Sequence, residues 1–166
     1  MTFGCTVTRC FLLLLILMTA SAWAETFTAR MTTVPDGDTL WVQPEGNSPA
    51  RKLRLLGIDA PEICQAGGQA SRAALMQFVG HATLQVDVRQ HDDYGRGLAR
   101  LRVNGQDVGA AMVRAGHAWS YRWRRSLGPY ASEEATARSA RKGLFSEASP
   151  ELPRDFRQRH GSCYPP

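Results

Sequence analysis

Five short runs of alternating or β-branched residues, each closed by turn chemistry, do most to limit what this chain can become. They occupy residues 26–34, 39–43, 52–58, 83–88 and 98–103. Pro35-Asp36-Gly37-Asp38 separates the first two as a hairpin turn, and Asn104-Gly105 closes the fifth. A loop rich in Pro, Gly, Asn and Ser at residues 43–49 precedes the third run, where Leu53 and Leu55 alternate with Lys52 and Arg54. Residues 69–79 then carry apolar side chains at helical spacing and stop at Gly80. A second helix is predicted behind an Asp107 cap, with Val108, Ala111, Met112 and Ala115 facing inward and Gly116 ending it. In the third, Ser132 caps, Glu133 and Glu134 lie in the first turn and Arg141 and Lys142 in the last, before Gly143.

Strands interrupted once by a helix and followed by two more helices imply an α+β chain, mainly β. The predicted architecture is a five-stranded Greek-key barrel of the OB type with about three helices. Such barrels bind oligonucleotides on one face. A plain α+β sandwich yields the same string, so both architectures stand at this point. With 166 residues, 43% of them hydrophobic and 21% charged, the chain suits one globular domain and excludes disorder. The absence of sustained heptads, and only 15 glycines, exclude fibrous classes.

Residues 1–24 are expected to be a signal peptide. An apolar core at 11–18 leads to Ala22-Trp23-Ala24 before Glu25, and the uncharged stretch 10–24 is short of the roughly 20 residues needed to span a bilayer. The expected location is therefore secreted or periplasmic, with a domain at 25–148 and a C-terminal tail at 149–166. Without the signal only Cys64 and Cys163 remain. An oxidising compartment permits them to pair, tying the tail to the middle of the chain and stabilising by up to about 5 kcal/mol in the chain-entropy model. Two free thiols are the alternative. Residues 114–166 hold ten basic and five acidic side chains, a surplus that attracts polyanions and is also common on plain solvated surfaces.

Three clusters carry chemistry. In Asp36-Gly37-Asp38-Thr39 two carboxylates bent round a glycine can face one hard cation, although a lone turn of this kind is usually only a turn. In Arg54-Leu55-Leu56-Gly57-Ile58-Asp59-Ala60-Pro61-Glu62, Pro61 holds Ala60 extended and keeps Asp59 and Glu62 at a strand end, with an arginine on the same strand. A surface salt bridge of Arg54 is the simpler reading. In Asp92-Asp93-Tyr94-Gly95-Arg96-Gly97-Leu98-Ala99 two glycines flank a loop arginine. Tyr121-Arg122-Trp123-Arg124-Arg125 interleaves rings and cations, as suits a single strand of nucleic acid, or else a basic surface with its rings packed inward. The histidines show no metal-ligand spacing.

Taken in order and at compatible spacing, the three clusters resemble the staphylococcal nuclease (thermonuclease) family of secreted calcium-dependent nucleases, over residues 28–145 or so. The resemblance implies Ca2+ held directly by Asp38, Asp59 and the Ala60 carbonyl, with Asp36 supporting through water. It implies Glu62 as general base, Arg54 and Arg96 as the two phosphate-holding arginines, and Tyr94 and Tyr121 beside the nucleotide. The expected activity is endonucleolytic hydrolysis of DNA and RNA to 3′-phosphates by a monomer, with single strands preferred. Where the best-known member has threonine this chain has Ala60, and the stretch after Glu62, Cys64-Gln65-Ala66-Gly67-Gly68, replaces a long mobile loop. Asp93 stands for a lysine and Trp123 for a second tyrosine. A nucleic-acid-binding OB module without turnover is the alternative, and a module docking other polyanions a third.

Overall fold

The computed structural model describes residues 25–161 and 163. The expected signal peptide at 1–24 lies outside them. Among the described residues eight strands form: β1 (Glu25–Thr33), β2 (Thr39–Pro44), β3 (Arg51–Leu55), β4 (Ile58–Asp59), β5 (Leu84–His91), β6 (Gly97–Val103), β7 (Gln106–Asp107) and β8 (Trp119–Ser120). The helices are α1 (Gly68–Val79), α2 (Val108–Arg114), α3 (Ala131–Ser139) and α4 (Pro153–His160), with a 3-10 turn at Gly143–Ser146.

Five of the strands close into a barrel. Antiparallel pairings join β3 to β2, β2 to β1, β1 to β5 and β5 to β6, and a parallel pairing of β3 with β6, Leu53 opposite Gly97, shuts the ring. Closure removes the exposed sheet edges that a sandwich would leave. It settles the choice of architecture in favour of the mixed five-stranded α+β barrel. Alternation along the strands turns Leu40, Val42, Leu53, Leu55, Leu84, Val86 and Leu101 inward, where each is 2% exposed or less. Burying one such side chain fully contributes about 1.5–3 kcal/mol. Leu75 and Val79 of α1 and Met112 and Val113 of α2 join the same core.

The third predicted strand is two pieces. Gly57 sits at φ 86°, a left-handed conformation that L side chains rarely adopt, and reverses the chain after Leu56. β3 therefore ends at Leu55, and Ile58 and Asp59 pair instead with β8. This reversal is what returns Asp59 to the side of Arg54, five residues earlier. The Asp107 cap on α2 forms as read, accepting from the Ala110 amide at 2.9 Å. Ser132, by contrast, does not cap α3. The helix begins earlier because Tyr130 is anchored by tertiary contacts: its amide donates to Ser120 Oγ at 3.0 Å and its hydroxyl to Asp107 Oδ1 at 3.0 Å.

The segment read as a tail contains α4. Pro153 occupies the first helical turn, Asp155 lies early, Arg159 and His160 end it, and Gly161 follows at φ 73°. Cys64 and Cys163 are disulfide-bonded across a separation of 99 residues. The helix is thereby fastened beside the loop that follows Glu62. No helix among the described residues is long and apolar enough to cross a membrane.

Candidate active site

The turn between β1 and β2 is pressed against α1 and the end of β4. A Cβ on Gly37 would lie 1.9 Å from Ser71 Oγ and 2.8 Å from the Ala60 Cβ, so only glycine lets the backbone approach this closely. This contact carries Asp38 inward until it is 3% exposed. Asp38 is nevertheless satisfied: Oδ1 accepts from Arg54 Nη1 at 2.6 Å and from Thr39 Oγ1 at 3.2 Å, and Oδ2 from the Ala60 amide at 3.0 Å. Asp36 Oδ1 accepts the Asp38 amide at 3.1 Å.

Arg54 projects from β3 between two carboxylates. Nη1 takes Asp38, and Nη2 donates to Asp59 Oδ1 at 3.0 Å. The planar fork suits this double contact better than an ammonium. The charge of Asp38 above all, joined by that of Asp59, outweighs burial and holds the guanidinium protonated beyond its ordinary range. The salt bridge considered as the simpler reading of Arg54 does form, with the buried partners Asp38 and Asp59 and not at the open surface.

An open cleft of about 1110 Å³ brings the expected residues together. Asp36, Asp38, Arg54, Ala60, Glu62, Tyr94, Arg96 and Tyr121 all line it, and Asp59 joins through Arg54. Arg96 is oriented by its own loop: its amide donates to Asp92 Oδ1 at 2.9 Å and its Nε to Oδ2 at 2.7 Å, and its guanidinium lies 5.4 Å from the Tyr94 ring centroid. Tyr121 and Trp123 are open to solvent, at 43% and 64% exposure, which answers the question left by the aromatic and cationic run. Its rings do not pack inward. Arg122 turns away, donating to the buried Glu134 at 2.8 Å.

Two residues with a place here were absent from the expected set. Arg157 of α4 donates from Nη1 to Glu62 Oε1 at 2.6 Å and lies 3.5 Å from Asp59 Oδ1. Gln65 Oε1 accepts the Glu62 amide at 3.1 Å. The helix start and stop signals around Pro153 and Gly161 were readable, but a partner 95 residues away from Glu62 was not.

The fit of the site to a hard cation rests on donor chemistry and charge. Four carboxylates, Asp36, Asp38, Asp59 and Glu62, meet two guanidiniums, Arg54 and Arg157, leaving a formal excess of two negative charges. Among the described residues no three His, Cys, Asp or Glu side chains close on one point. A set built from two aspartates and a main-chain oxygen, completed by water, does not require such a closure. The crowding registers in the titrations: burial, then the charge of Asp38, pushes Asp36 up to about 6. Burial and Asp38 likewise raise Asp59, against Arg54 and Arg157.

A folded-state pKa raised in this way contributes stability that is complete below the ordinary value of 3.8 and lost as pH rises through about 6. Without calcium, Asp36→Asn should therefore stabilise the protein at pH 7.5, by about 1–2 kcal/mol once partial exposure is allowed for, with the gain vanishing toward pH 4. Thermal melts in chelator at both pH values check this. Equal melting temperatures at pH 7.5 would contradict it.

Comparison with known proteins places this geometry. Residues 52–147 match the family model described as staphylococcal nuclease homologue. A Haemophilus influenzae protein named as an uncharacterized endonuclease is 32% identical over 148 residues, covering 89% of this chain and 83% of its own. Protein ParB of Escherichia coli is 39% identical over 146 residues, covering 81% of each. A rice protein named as a probable staphylococcal-like nuclease is 33% identical over 107 residues, 64% of this chain but only 29% of its own length. With the closed barrel and a family match across more than half of its residues, the chain belongs to the staphylococcal nuclease family.

Proposed function

We propose that this protein is a calcium-dependent endonuclease that hydrolyses phosphodiester bonds of DNA and RNA, acting outside the cytoplasm. The observation that carries the reading is the convergence of Asp38, Arg54, Glu62 and Arg96 on one open cleft. Asp38, Asp59 and the Ala60 carbonyl would hold the ion, with Asp36 behind them, and calcium bound there supplies positive charge to the phosphoryl oxygens.

The chain's own residues do the rest. Arg96, held at its root by Asp92, reaches into the cleft to take the non-bridging phosphate oxygens, and Arg54 adds its charge from the cleft floor. The two Nη nitrogens of Arg96 keep the phosphate oriented while negative charge builds on it, whereas Arg54, whose fork is held by Asp38 and Asp59, contributes its charge. Glu62 takes a proton from water as the water oxygen bonds to phosphorus. The P–O5′ bond breaks, leaving a 3′-phosphate on one fragment, and the departing 5′ oxygen takes a proton from solvent. Because water is the nucleophile, no 2′-hydroxyl is needed. The exposed Tyr94, Tyr121 and Trp123 rings offer stacking faces to unpaired bases, which favours single strands.

The disulfide and the expected leader support an oxidising location, secreted or periplasmic. The function is tested with single-stranded DNA and RNA carrying a 5′ fluorophore, in calcium and in chelator, followed by phosphatase treatment of the fragments. Fragments that lose a 3′-phosphate are the expected result; 3′-hydroxyl ends, or cutting indifferent to calcium, would contradict the reading.

A further inference from the structure

The C-terminal segment is fastened on both sides of Arg157 to the two residues that follow Glu62 and Ile63. Upstream, Gln65 Nε2 donates to the Glu151 carbonyl at 2.7 Å. Downstream, Cys163 is bonded to Cys64. Gln65 in turn holds the Glu62 backbone twice, its Oε1 accepting the Glu62 amide at 3.1 Å and its own amide donating to the Glu62 carbonyl at 2.9 Å. Arg159 pairs with Glu151 and adds a further tie within the segment. The loop that follows Glu62 and the helix that carries Arg157 thus form one fastened unit.

Within it the charges alternate across the cleft floor. Asp38 meets Arg54 at 2.6 Å, Arg54 meets Asp59 at 3.0 Å, Asp59 meets Arg157 at 3.5 Å, and Arg157 meets Glu62 at 2.6 Å. Each carboxylate is flanked by a guanidinium, and each guanidinium spans two carboxylates. Glu62 ends the series. Its Oε1 is taken by Arg157, and its Oε2 has no hydrogen-bond partner among the described residues. A long glutamate side chain held at one oxygen loses most of its rotamer freedom, while its other oxygen keeps its lone pairs.

We propose that Arg157 is a positioning residue of the active site. It fixes Glu62 through Oε1 so that Oε2 is the atom that takes the proton from water, and the disulfide-fastened C-terminal segment keeps it in place. This rests on Glu62 as the base. Misplacing a reacting group by about 1 Å can cost about 100-fold in rate, so the contact has enough leverage to matter.

The test compares wild type, Arg157→Gln, Arg157→Lys, Glu62→Gln and the double variant Glu62→Gln/Arg157→Gln in steady-state DNA cleavage. Amide hydrogen exchange of residues 62–68 is measured alongside, and melting temperatures confirm that each variant is folded. Arg157→Gln should lower kcat by about 10- to 100-fold with KM changed less than about twofold. Arg157→Lys should recover part of that loss, and the double variant should cut no more slowly than Glu62→Gln alone, because Arg157 acts through Glu62. Exchange at residues 62–65 should quicken. An unchanged kcat, or the same fold-loss with and without Glu62, overturns the proposal. If the wild type itself cuts nothing, the nuclease reading falls. The positioning role falls with it, whatever the exchange shows, whereas cutting by wild type with an unchanged kcat in Arg157→Gln overturns the positioning role alone.

Discussion

Glu62→Gln is expected to lower the rate of DNA cleavage by about 100- to 10,000-fold, the range in which a positioned general base contributes. The amide keeps nearly the same shape and retains an oxygen for Arg157 Nη1, which lies 2.6 Å from Oε1 in the native pair. The barrel should be untouched, because Glu62 lies on the cleft wall and none of the barrel pairings runs through it. The loss should therefore appear in kcat, with binding of an uncleavable oligonucleotide preserved. Rapid quench kinetics beside a binding titration checks both halves. A variant that cuts within tenfold of wild type would mean that another group accepts the proton.

Arg96→Lys is the second large effect, an expected fall of about 100- to 1000-fold in kcat, comparable to removing one preorganised donor from a developing oxyanion. The charge is kept, so simple neutralisation predicts little change. What lysine lacks is the fork: in the native side chain Nε is committed to Asp92 Oδ2 at 2.7 Å, which aims the rest of the guanidinium into the cleft. A lysine ammonium has one nitrogen for both tasks, and Asp92 competes for it with the phosphate. A lysine variant as fast as wild type would show that Arg96 supplies charge without geometry. The effect should add independently to substitutions in α4, since Arg96 and Arg157 share no ion-pair partner among the described residues: the one binds Asp92, the other Glu62 and Asp59.

Much of this arrangement was legible in the sequence, and the part that was not has a common cause. The period-2 patterning of Leu53 and Leu55, the Asn104-Gly105 turn and the Asp107 cap are local signals, and each element they indicate forms. The barrel itself needed the parallel β3–β6 pairing, which no local pattern announces and which excludes the sandwich. Gly57 hid the break between β3 and β4, because its left-handed turn lies inside an apolar run that reads as one strand. Ser132 illustrates a local rule overridden from a distance, with Tyr130 fixed by Ser120 and Asp107 setting the start of α3.

At the site, the three motifs put Asp38, Arg54, Glu62 and Arg96 forward, and the fold places all four on one cleft. Arg157 is the instructive omission. It sits in a segment of mixed charge and ordinary composition, and its importance comes from Cys163 and Gln65 bringing that segment back to Glu62. Cysteine pairing was readable as an expectation, but what the disulfide fastened beside Glu62 was not. The shortened stretch after Glu62, which stands where the best-known member has a long mobile loop, is thus cross-linked to the C-terminal segment and gives the proposed base a held position.

The most direct test of the account is a single cleavage assay on single-stranded DNA, with wild type and Glu62→Gln each measured in calcium and in chelator. The account predicts rapid cutting only by wild type in calcium, with binding of the oligonucleotide retained by the variant. Binding without cutting by wild type in calcium would contradict it and would identify the barrel as a nucleic-acid-binding module without turnover.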